Sequence, residues 1–262
     1  MKKQTITSIQ QSKGVKKLSM ITAYDALFAK LFDNEVDFIL VGDSLNMSFG
    51  GNSDTLGIGM DEMIYHTKAV CNGAKNTFVI CDMPFGTYVD ANEAFKNAKR
   101  VYQETQADAV KVEGGVEKAH IIKHLTSNSI AVVGHIGLMP QNVRVEGGYK
   151  IKGKTEKEIE ELVLDAKSIE LAGAFILVVE GVKPEAAKAI SEAVNIPVIG
   201  IGAGVDVDGQ VLVWSDMLGF FDEFKPKFVR RYLDGASLVK EGVQSYVKDV
   251  QNKKFPSSQE IY

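Results

Sequence analysis

Short, nearly continuous apolar runs recur along the chain at residues 18–22, 38–42, 77–82, 109–113, 130–135, 175–180, 197–201 and 211–214. Runs of this length without strict alternation mark strands of a parallel sheet covered on both faces. Between them the apolar spacing changes to the helical period. Residues 25–34 carry Leu27, Phe28, Leu31 and Phe32 on one stripe, and 60–73 and 91–105 are patterned alike. The clearest helix is predicted over 155–172. Thr155 and Glu158 have capping-box spacing, and Ile159, Leu162, Val163, Ala166, Ile169 and Leu171 supply an apolar face. Gly173 then stands in the C′ position. A further helix over 183–194 has Pro184 in its first turn.

Strand and helix thus alternate eight times without a break in composition, which predicts one α/β domain over residues 1–262. The expected architecture is a single (β/α)8 TIM barrel, with a doubly wound open sheet as the structural alternative. Eight repeats within 262 residues favour the closed form. The longest irregular stretch, 137–154, follows the fifth run and reads either as a mobile lid or as a plain surface loop or subunit contact. A helical segment at about 226–250 is expected to pack outside the barrel, and 251–262 reads as a loosely held tail.

Composition narrows the partners. Hydrophobic residues at 45% and charged residues at 24% are an ordinary globular mixture, in a chain long enough to bury a core without staples. A formal net charge of −4 gives no footprint for nucleic acid, so an acidic substrate needs local cations or a metal. Cys71 and Cys81 sit in no CxxC or Cys/His cluster, which points to reduced thiols rather than a disulfide or a zinc site. The start, Met1-Lys2-Lys3-Gln4-Thr5, is not followed by the apolar run of a secretory signal. No stretch approaches the roughly 18 apolar residues of a membrane span. A cytoplasmic protein acting on small molecules is expected.

In a parallel barrel the working groups collect where strands end. Five of the eight ends carry Asp43, Asp82, Glu113, His135 and Glu180. Taken singly, each residue simply opens a solvated loop; five on one rim weaken that reading. A ring of salt bridges is a second possibility, but Lys111 is the only obvious cation and cannot neutralise four carboxylates. A divalent cation can. Oxygen ligands without cysteine suit Mg²⁺ or Mn²⁺, with Asp43 and Asp82, on neighbouring strands, as the direct ligands. Lys111 and Glu113 are two apart and share one side of their strand, Glu113 toward the metal and Lys111 toward a substrate anion. The run Gly200 to Gly204 serves equally as a phosphate cradle or as close packing. His66, His120 and His124 lie in helical segments and read as surface or supporting residues.

Several motifs add a resemblance. They are Met20-Ile21-Thr22-Ala23-Tyr24-Asp25, Val41-Gly42-Asp43-Ser44-Leu45, Asp82-Met83-Pro84-Phe85, Val110-Lys111-Val112-Glu113-Gly114-Gly115, Gly134-His135-Ile136-Gly137-Leu138 and Ile199-Gly200-Ile201-Gly202-Ala203-Gly204. In this order, and with similarity over about residues 5–250, the chain resembles the 3-methyl-2-oxobutanoate hydroxymethyltransferase family, also called ketopantoate hydroxymethyltransferases. The resemblance implies a barrel assembled as a homodecamer. It also implies transfer of a hydroxymethyl group from 5,10-methylenetetrahydrofolate to 3-methyl-2-oxobutanoate, giving 2-dehydropantoate for pantothenate and coenzyme A. By motif, Asp43 and Asp82 match the Mg²⁺ ligands, and Asp43, Ser44, Asp82 and Lys111 the substrate contacts. Glu113 matches an acidic group at the metal, His135 a polar group on the substrate side, and Glu180 the catalytic base. Two places depart from the pattern. Residues 46–59 lack the Gly-His-Asp run common after the second strand, and Ser215 stands where a histidine often precedes the aspartate matched by Asp216. Both bear on folate binding or on the subunit interface.

The expected mechanism is enolisation of the keto acid with its oxygens on Mg²⁺ and removal of the C3 proton by Glu180. The rival reading is another magnesium-dependent barrel lyase or aldolase for α-keto acids, working without folate. A Schiff-base aldolase through Lys111 is disfavoured because the surrounding carboxylates keep the amine protonated. A non-catalytic barrel is the third reading.

Overall fold

In the computed structural model, described over residues 3–221 and 225–262, eight parallel strands pair in sequence order and close on themselves. Met1 and Lys2 of the N-terminal reading lie outside the described residues. The chain divides into two compact units, Met1–Val213 and Trp214–Tyr262.

The first unit holds the barrel. Its strands are β1 (Leu18–Thr22), β2 (Phe38–Val41), β3 (Phe78–Asp82), β4 (Ala109–Glu113), β5 (Val132–Gly137), β6 (Ile176–Glu180), β7 (Val198–Ile201) and β8 (Gly209–Leu212). Its helices are α1 (Ile6–Gln10), α2 (Ala26–Phe32), α3 (Leu45–Ser48), α4 (Met60–Gly73), α5 (Ala91–Glu104), α6 (Ala119–Ser127), α7 (Val143–Glu146), α8 (Glu156–Leu171) and α9 (Pro184–Ala193). Closure comes from β8 pairing with β1, Val211 beside Met20. Side-chain caps set where the longer helices begin. The Asp25 carboxylate accepts from the N–H groups of Leu27 and Phe28 at the head of α2, and Asp90 does the same for α5. At α8 the Thr155 hydroxyl accepts from the Glu158 N–H at 3.2 Å, while the Glu158 carboxylate accepts from the Lys154 N–H at 2.8 Å, one residue before the cap. Gly173 then leaves α8 at φ +98°, a conformation that favours glycine.

Within the barrel unit, four sequence expectations need correction. The fifth strand starts at Val132 rather than at 130, because the Ile130 N–H is spent on the Leu125 carbonyl in the turn leaving α6. The eighth strand is Gly209–Leu212, not 211–214, and Trp214 already begins a helix. Its start carries no apolar signal. A Cβ at Gly209 would lie 2.5 Å from the Leu18 carbonyl oxygen, so close pairing, not hydrophobicity, selects the residue. No helix separates β7 from β8: residues 202–208 return directly, and the Asp208 N–H reaches the Val198 carbonyl at 2.8 Å. Residues 137–154 are not irregular throughout. They contain a 3-10 turn (Pro140–Asn142), α7, and a bridge from Lys152 to Val182.

Alternate residues of a strand point to one side. Met20, Phe38, Leu40, Phe78, Ile80, Ala109, Val133, Ile176, Val178, Ile199, Ile201 and Val211 belong to one buried cluster. Phe78 stacks against Phe38 at 5.9 Å and Phe175 at 5.7 Å between ring centroids. Continuing each inward series by two residues reaches Gly42, Asp82, Lys111, His135 and Glu180, with Glu113 two beyond Lys111. The same parity that fills the lower barrel with apolar groups therefore delivers charged ones to its C-terminal rim. At the opposite end, Asp208 accepts from Lys13 at 2.8 Å, the Gly14 N–H at 3.0 Å and the Val198 N–H at 2.9 Å, tying β7 and β8 to the segment before β1.

In the second unit, α10 (Trp214–Met217) is followed by α11 (Gly235–Gln251). This helix starts later than the expected 226, where Asp234 caps it through the Ser237 N–H. After α11 the Lys254 N–H bonds to the Asp249 carbonyl and Phe255 meets Tyr246 edge-on at 5.6 Å, while residues 251–262 are all exposed. Among the described residues no helix is long and apolar enough to cross a membrane.

Candidate active site

Register brings the predicted residues together. Asp82 pairs across to Lys111, and Glu113 to His135, at the upper ends of β3, β4 and β5. Asp43 follows β2 by two residues, and its backbone N–H donates to Asp82 Oδ2 at 3.0 Å. Ser44 comes next, with its hydroxyl 2.8 Å from the Tyr24 hydroxyl at the end of β1. Gly42 keeps the centre open, since a Cβ there would stand 2.8 Å from Ser44 Oγ and 3.5 Å from Asp82 Oδ2.

Asp43, Asp82, Lys111, Glu113 and His135 are all buried, whereas the Glu180 side chain keeps 21% exposure. Lys111 Nζ lies 2.9 Å from Asp82 Oδ1 and 3.3 Å from His135 Nδ1. The His135 ring stands between two acids: Nδ1 is 3.5 Å from Glu113 Oε1, and Nε2 is 3.3 Å from Glu180 Oε2. Two contacts are ion pairs without hydrogen-bond alignment. Asp82 Oδ1 and His135 Nε2 are buried polar atoms that lack a hydrogen-bond partner.

The electrostatics follow from this crowding. Burial, then Asp82 and Glu113, push the Asp43 carboxyl well above the usual carboxylate range, against Lys111 and a bond from Gln141. Burial likewise raises Asp82, only partly offset by Lys111. Burial and Lys111 disfavour charge on His135, but Glu113 and Glu180 outweigh them and lift it to about 9. Burial acts against the Lys111 ammonium, yet Asp82, Glu113 and Asp43 hold it more firmly protonated than a free lysine. Burial also disfavours charge on Glu113, and His135 and Lys111 overcome it, so this acid is shifted down. A lysine held protonated by its neighbours is a poor Schiff-base amine.

Sequence reasoning did not find Gln141 and Tyr88. Gln141, on the turn after β5, donates from Nε2 to Asp43 Oδ2 at 2.9 Å and to the Met83 carbonyl at 3.0 Å. Its backbone N–H reaches Glu113 Oε2 at 3.2 Å, and the Tyr88 hydroxyl donates to its Oε1. A neutral amide in a loop has no charge pattern to betray it. Of the remaining histidines, His66 bonds the Tyr24 carbonyl through Nδ1 at 2.6 Å and His124 meets the Phe95 ring. Both cysteines are free and buried, with burial raising Cys81 to about 12. In the glycine run, Gly204 has φ +89° and packs on Pro184, the close-packing alternative of the two considered.

A closed parallel barrel with buried acids, a lysine and an imidazole on its C-terminal rim defines a TIM-barrel enzyme. Solved structures agree in fold. Phosphonopyruvate hydrolase in complex with oxalate and Mg²⁺ matches with a TM-score of 0.63 at 12% identity, over 99% of this chain and 93% of that one. A 2,3-dimethylmalate lyase of the PEP mutase/isocitrate lyase superfamily matches with a TM-score of 0.61 at 13% identity, over 96% and 89%. Sequence comparison goes further. The family model for ketopantoate hydroxymethyltransferase matches residues 3–258. The 3-methyl-2-oxobutanoate hydroxymethyltransferase of Aliarcobacter butzleri (strain RM4018) is 68% identical, over 99% of this chain and 97% of the relative. That of Wolinella succinogenes is 62% identical over the whole of both chains. The chain belongs to the ketopantoate hydroxymethyltransferase family, and it is a hydroxymethyl-transferring enzyme of pantothenate biosynthesis.

Proposed function

We propose that the chain transfers a hydroxymethyl group from 5,10-methylenetetrahydrofolate to 3-methyl-2-oxobutanoate, giving 2-dehydropantoate, with Mg²⁺ held by Asp43 and Asp82. One observation carries the metal: the rim crowds more acid than its cations balance. Asp82 is raised by burial even with the Lys111 ammonium 2.9 Å from its Oδ1, and Asp43 is pushed strongly toward its neutral form by burial and two neighbouring carboxylates. Both features are relieved by a hard divalent cation, and oxygen donors suit Mg²⁺. Among the described residues no set of three or more His, Cys, Asp or Glu side chains forms a metal cage. Mg²⁺ asks for less, taking one or two carboxylates and leaving its other positions to water and substrate. The Glu113 oxygens are engaged by His135 and by the Gln141 N–H, so Glu113 supports the cation from outside its direct contacts.

When bound, Mg²⁺ supplies Lewis-acid stabilisation of the enolate. Lys111, held charged by three acids, attracts the substrate carboxylate, and Ser44, steadied by Tyr24, donates to the same end. Glu180 approaches from a different strand and takes the C3 proton. His135, on the substrate side, orients Glu180 through Nε2 and Glu113 through Nδ1. The carbanionic C3 then forms its bond to the one-carbon unit, the C–N bonds to the folate break, water supplies the hydroxyl, and tetrahydrofolate leaves. A recess lined by Phe85, Tyr88, Val89, Lys118 and Met139 opens beside Glu113 and gives the donor an approach. Assembly as a homodecamer and a cytoplasmic location belong to the same reading, supported by the family resemblance.

The test is exchange of the C3 proton of 3-methyl-2-oxobutanoate followed by NMR, with and without Mg²⁺ and then with the folate donor. Glu180→Gln should slow exchange by about 10²–10⁴ while retaining Mg²⁺ and substrate binding. Near-normal exchange in this variant refutes the base assignment.

A further inference from the structure

The turn after β5 reaches into the rim through one uncharged residue that the transfer mechanism leaves unused. Gln141 is 6% exposed, and every polar group of its side-chain amide is committed. The two N–H donors go to Asp43 Oδ2 and the Met83 carbonyl, and the carbonyl oxygen accepts from the Tyr88 hydroxyl. This orientation is chemically forced. Turned over, the amide oxygen would face the Met83 backbone carbonyl, which cannot donate, and an Asp43 oxygen that donates only when protonated. Tyr88 lies in the same loop as Met83, so the segment after β3 both receives and selects the amide. The backbone N–H of Gln141 meanwhile holds Glu113 Oε2 at 3.2 Å. One residue therefore sets two rim acids that arise from β2 and β4.

We propose that Gln141 is a positioning residue for the transfer reaction, locked by Tyr88, which pins Asp43 by Oδ2 and leaves its Oδ1 as the oxygen offered to the cation. This rests on the reading of Asp43 and Asp82 as the cation-holding pair. A free carboxylate rotates about its Cβ–Cγ bond and presents either oxygen. A carboxylate hydrogen-bonded through one oxygen is restricted to a single presentation. Partners that orient metal-holding groups in this way are commonly worth about 10–100-fold in metal affinity.

The experiment titrates Mn²⁺ into the substrate-free full chain, following free Mn²⁺ by electron paramagnetic resonance, for wild type, Gln141→Leu, Tyr88→Phe and Asp82→Ala. Gln141→Leu should weaken Mn²⁺ binding by about 10–100-fold and Tyr88→Phe by a smaller factor. The Mg²⁺ concentration needed for half-maximal turnover should rise in the same proportion, with kcat largely recovered at saturating Mg²⁺. A merely structural role instead lowers the unfolding midpoint and leaves both metal constants unchanged, and that result overturns the proposal. If Gln141→Leu does not fold, Tyr88→Phe decides, because it removes one oxygen and frees the amide. Wild-type Mn²⁺ affinity in Tyr88→Phe then overturns the assignment, and weakened affinity supports it. Loss of Mn²⁺ by Asp82→Ala beside unaltered Gln141→Leu defeats this proposal alone. A wild-type chain that takes up no Mn²⁺ defeats the metal reading as well.

Discussion

Lys111→Met isolates the electrostatic argument for the rim. Methionine keeps a long flexible stem and removes the ammonium, leaving Asp82 without its cation. The two side chains are only 5% and 4% exposed, so little solvent screens the loss. Breaking such a buried pair costs about 3–5 kcal/mol when the remaining charge stays ionised. Asp82 has an escape, which is to protonate. Its carboxyl is already raised by burial with Lys111 present, and removing Lys111 raises it further. The sign of the pH dependence follows. The folded variant then holds a proton that the unfolded chain releases above its ordinary Asp pKa, so stability falls as pH rises. The slope for one group is at most about 1.4 kcal/mol per pH unit, or about 2.7 kcal/mol between pH 5 and pH 7. Urea unfolding in EDTA at pH 5, 6 and 7, for wild type and variant, reads the difference. A gap between the two proteins that is constant across this range refutes the reasoning.

His135 gives the complementary pH response. Its folded pKa of about 9 lies above the unfolded value near 6.5, so its contribution is fully present below 6.5 and is lost as pH rises through 9. In His135→Gln the stability difference from wild type should therefore shrink by roughly 3 kcal/mol between pH 6.5 and pH 9, by urea unfolding; a difference that does not change with pH contradicts the buried imidazolium. At the other end of the barrel, Asp208 is held below the usual range because Lys13 and the Val198 and Gly14 N–H groups overcome its burial. Asp208→Ala should cost on the order of 3 kcal/mol above pH 4 while leaving kcat/KM intact. A drop in kcat/KM without a drop in stability reverses that separation of roles.

The barrel was legible because both faces of each strand are covered, which turns strands into continuous apolar runs at regular intervals. Where a strand departs from that chemistry, the sequence is silent. Gly209 and Gln210 open β8 through a close backbone approach, and nothing apolar announces it. The missing helix between β7 and β8 was hidden by the expectation that every repeat is complete. At the site, charge at strand ends marked Asp43, Asp82, Glu113, His135 and Glu180, and two-residue spacing placed Lys111 beside Glu113. The pairing of His135 with two acids needs the register of β4 against β5 and the reach of Glu180 from β6. Gln141 was missed for a plainer reason: its role depends on an amide's orientation, which distant hydroxyl and carbonyl partners impose.

The two-residue alternation that stacks apolar layers beneath a charged rim also governs how such a protein can diverge. Lys111 and Glu113 share a parity with Ala109, while Val110 and Val112 take the other side. Inserting or deleting a single residue in β4 ahead of Lys111, with no bulge to absorb it, would expel both charges at once and turn two valines inward, disrupting the rim in one step. Exchange of side chains in place meets no such barrier, because the rim can be rewritten one position at a time over an unaltered floor. Strand length is thus inherited rigidly and rim identity loosely. Barrels sharing only 12–13% of their residues with this one, yet superposing along nearly its whole chain, have the form that this asymmetry produces.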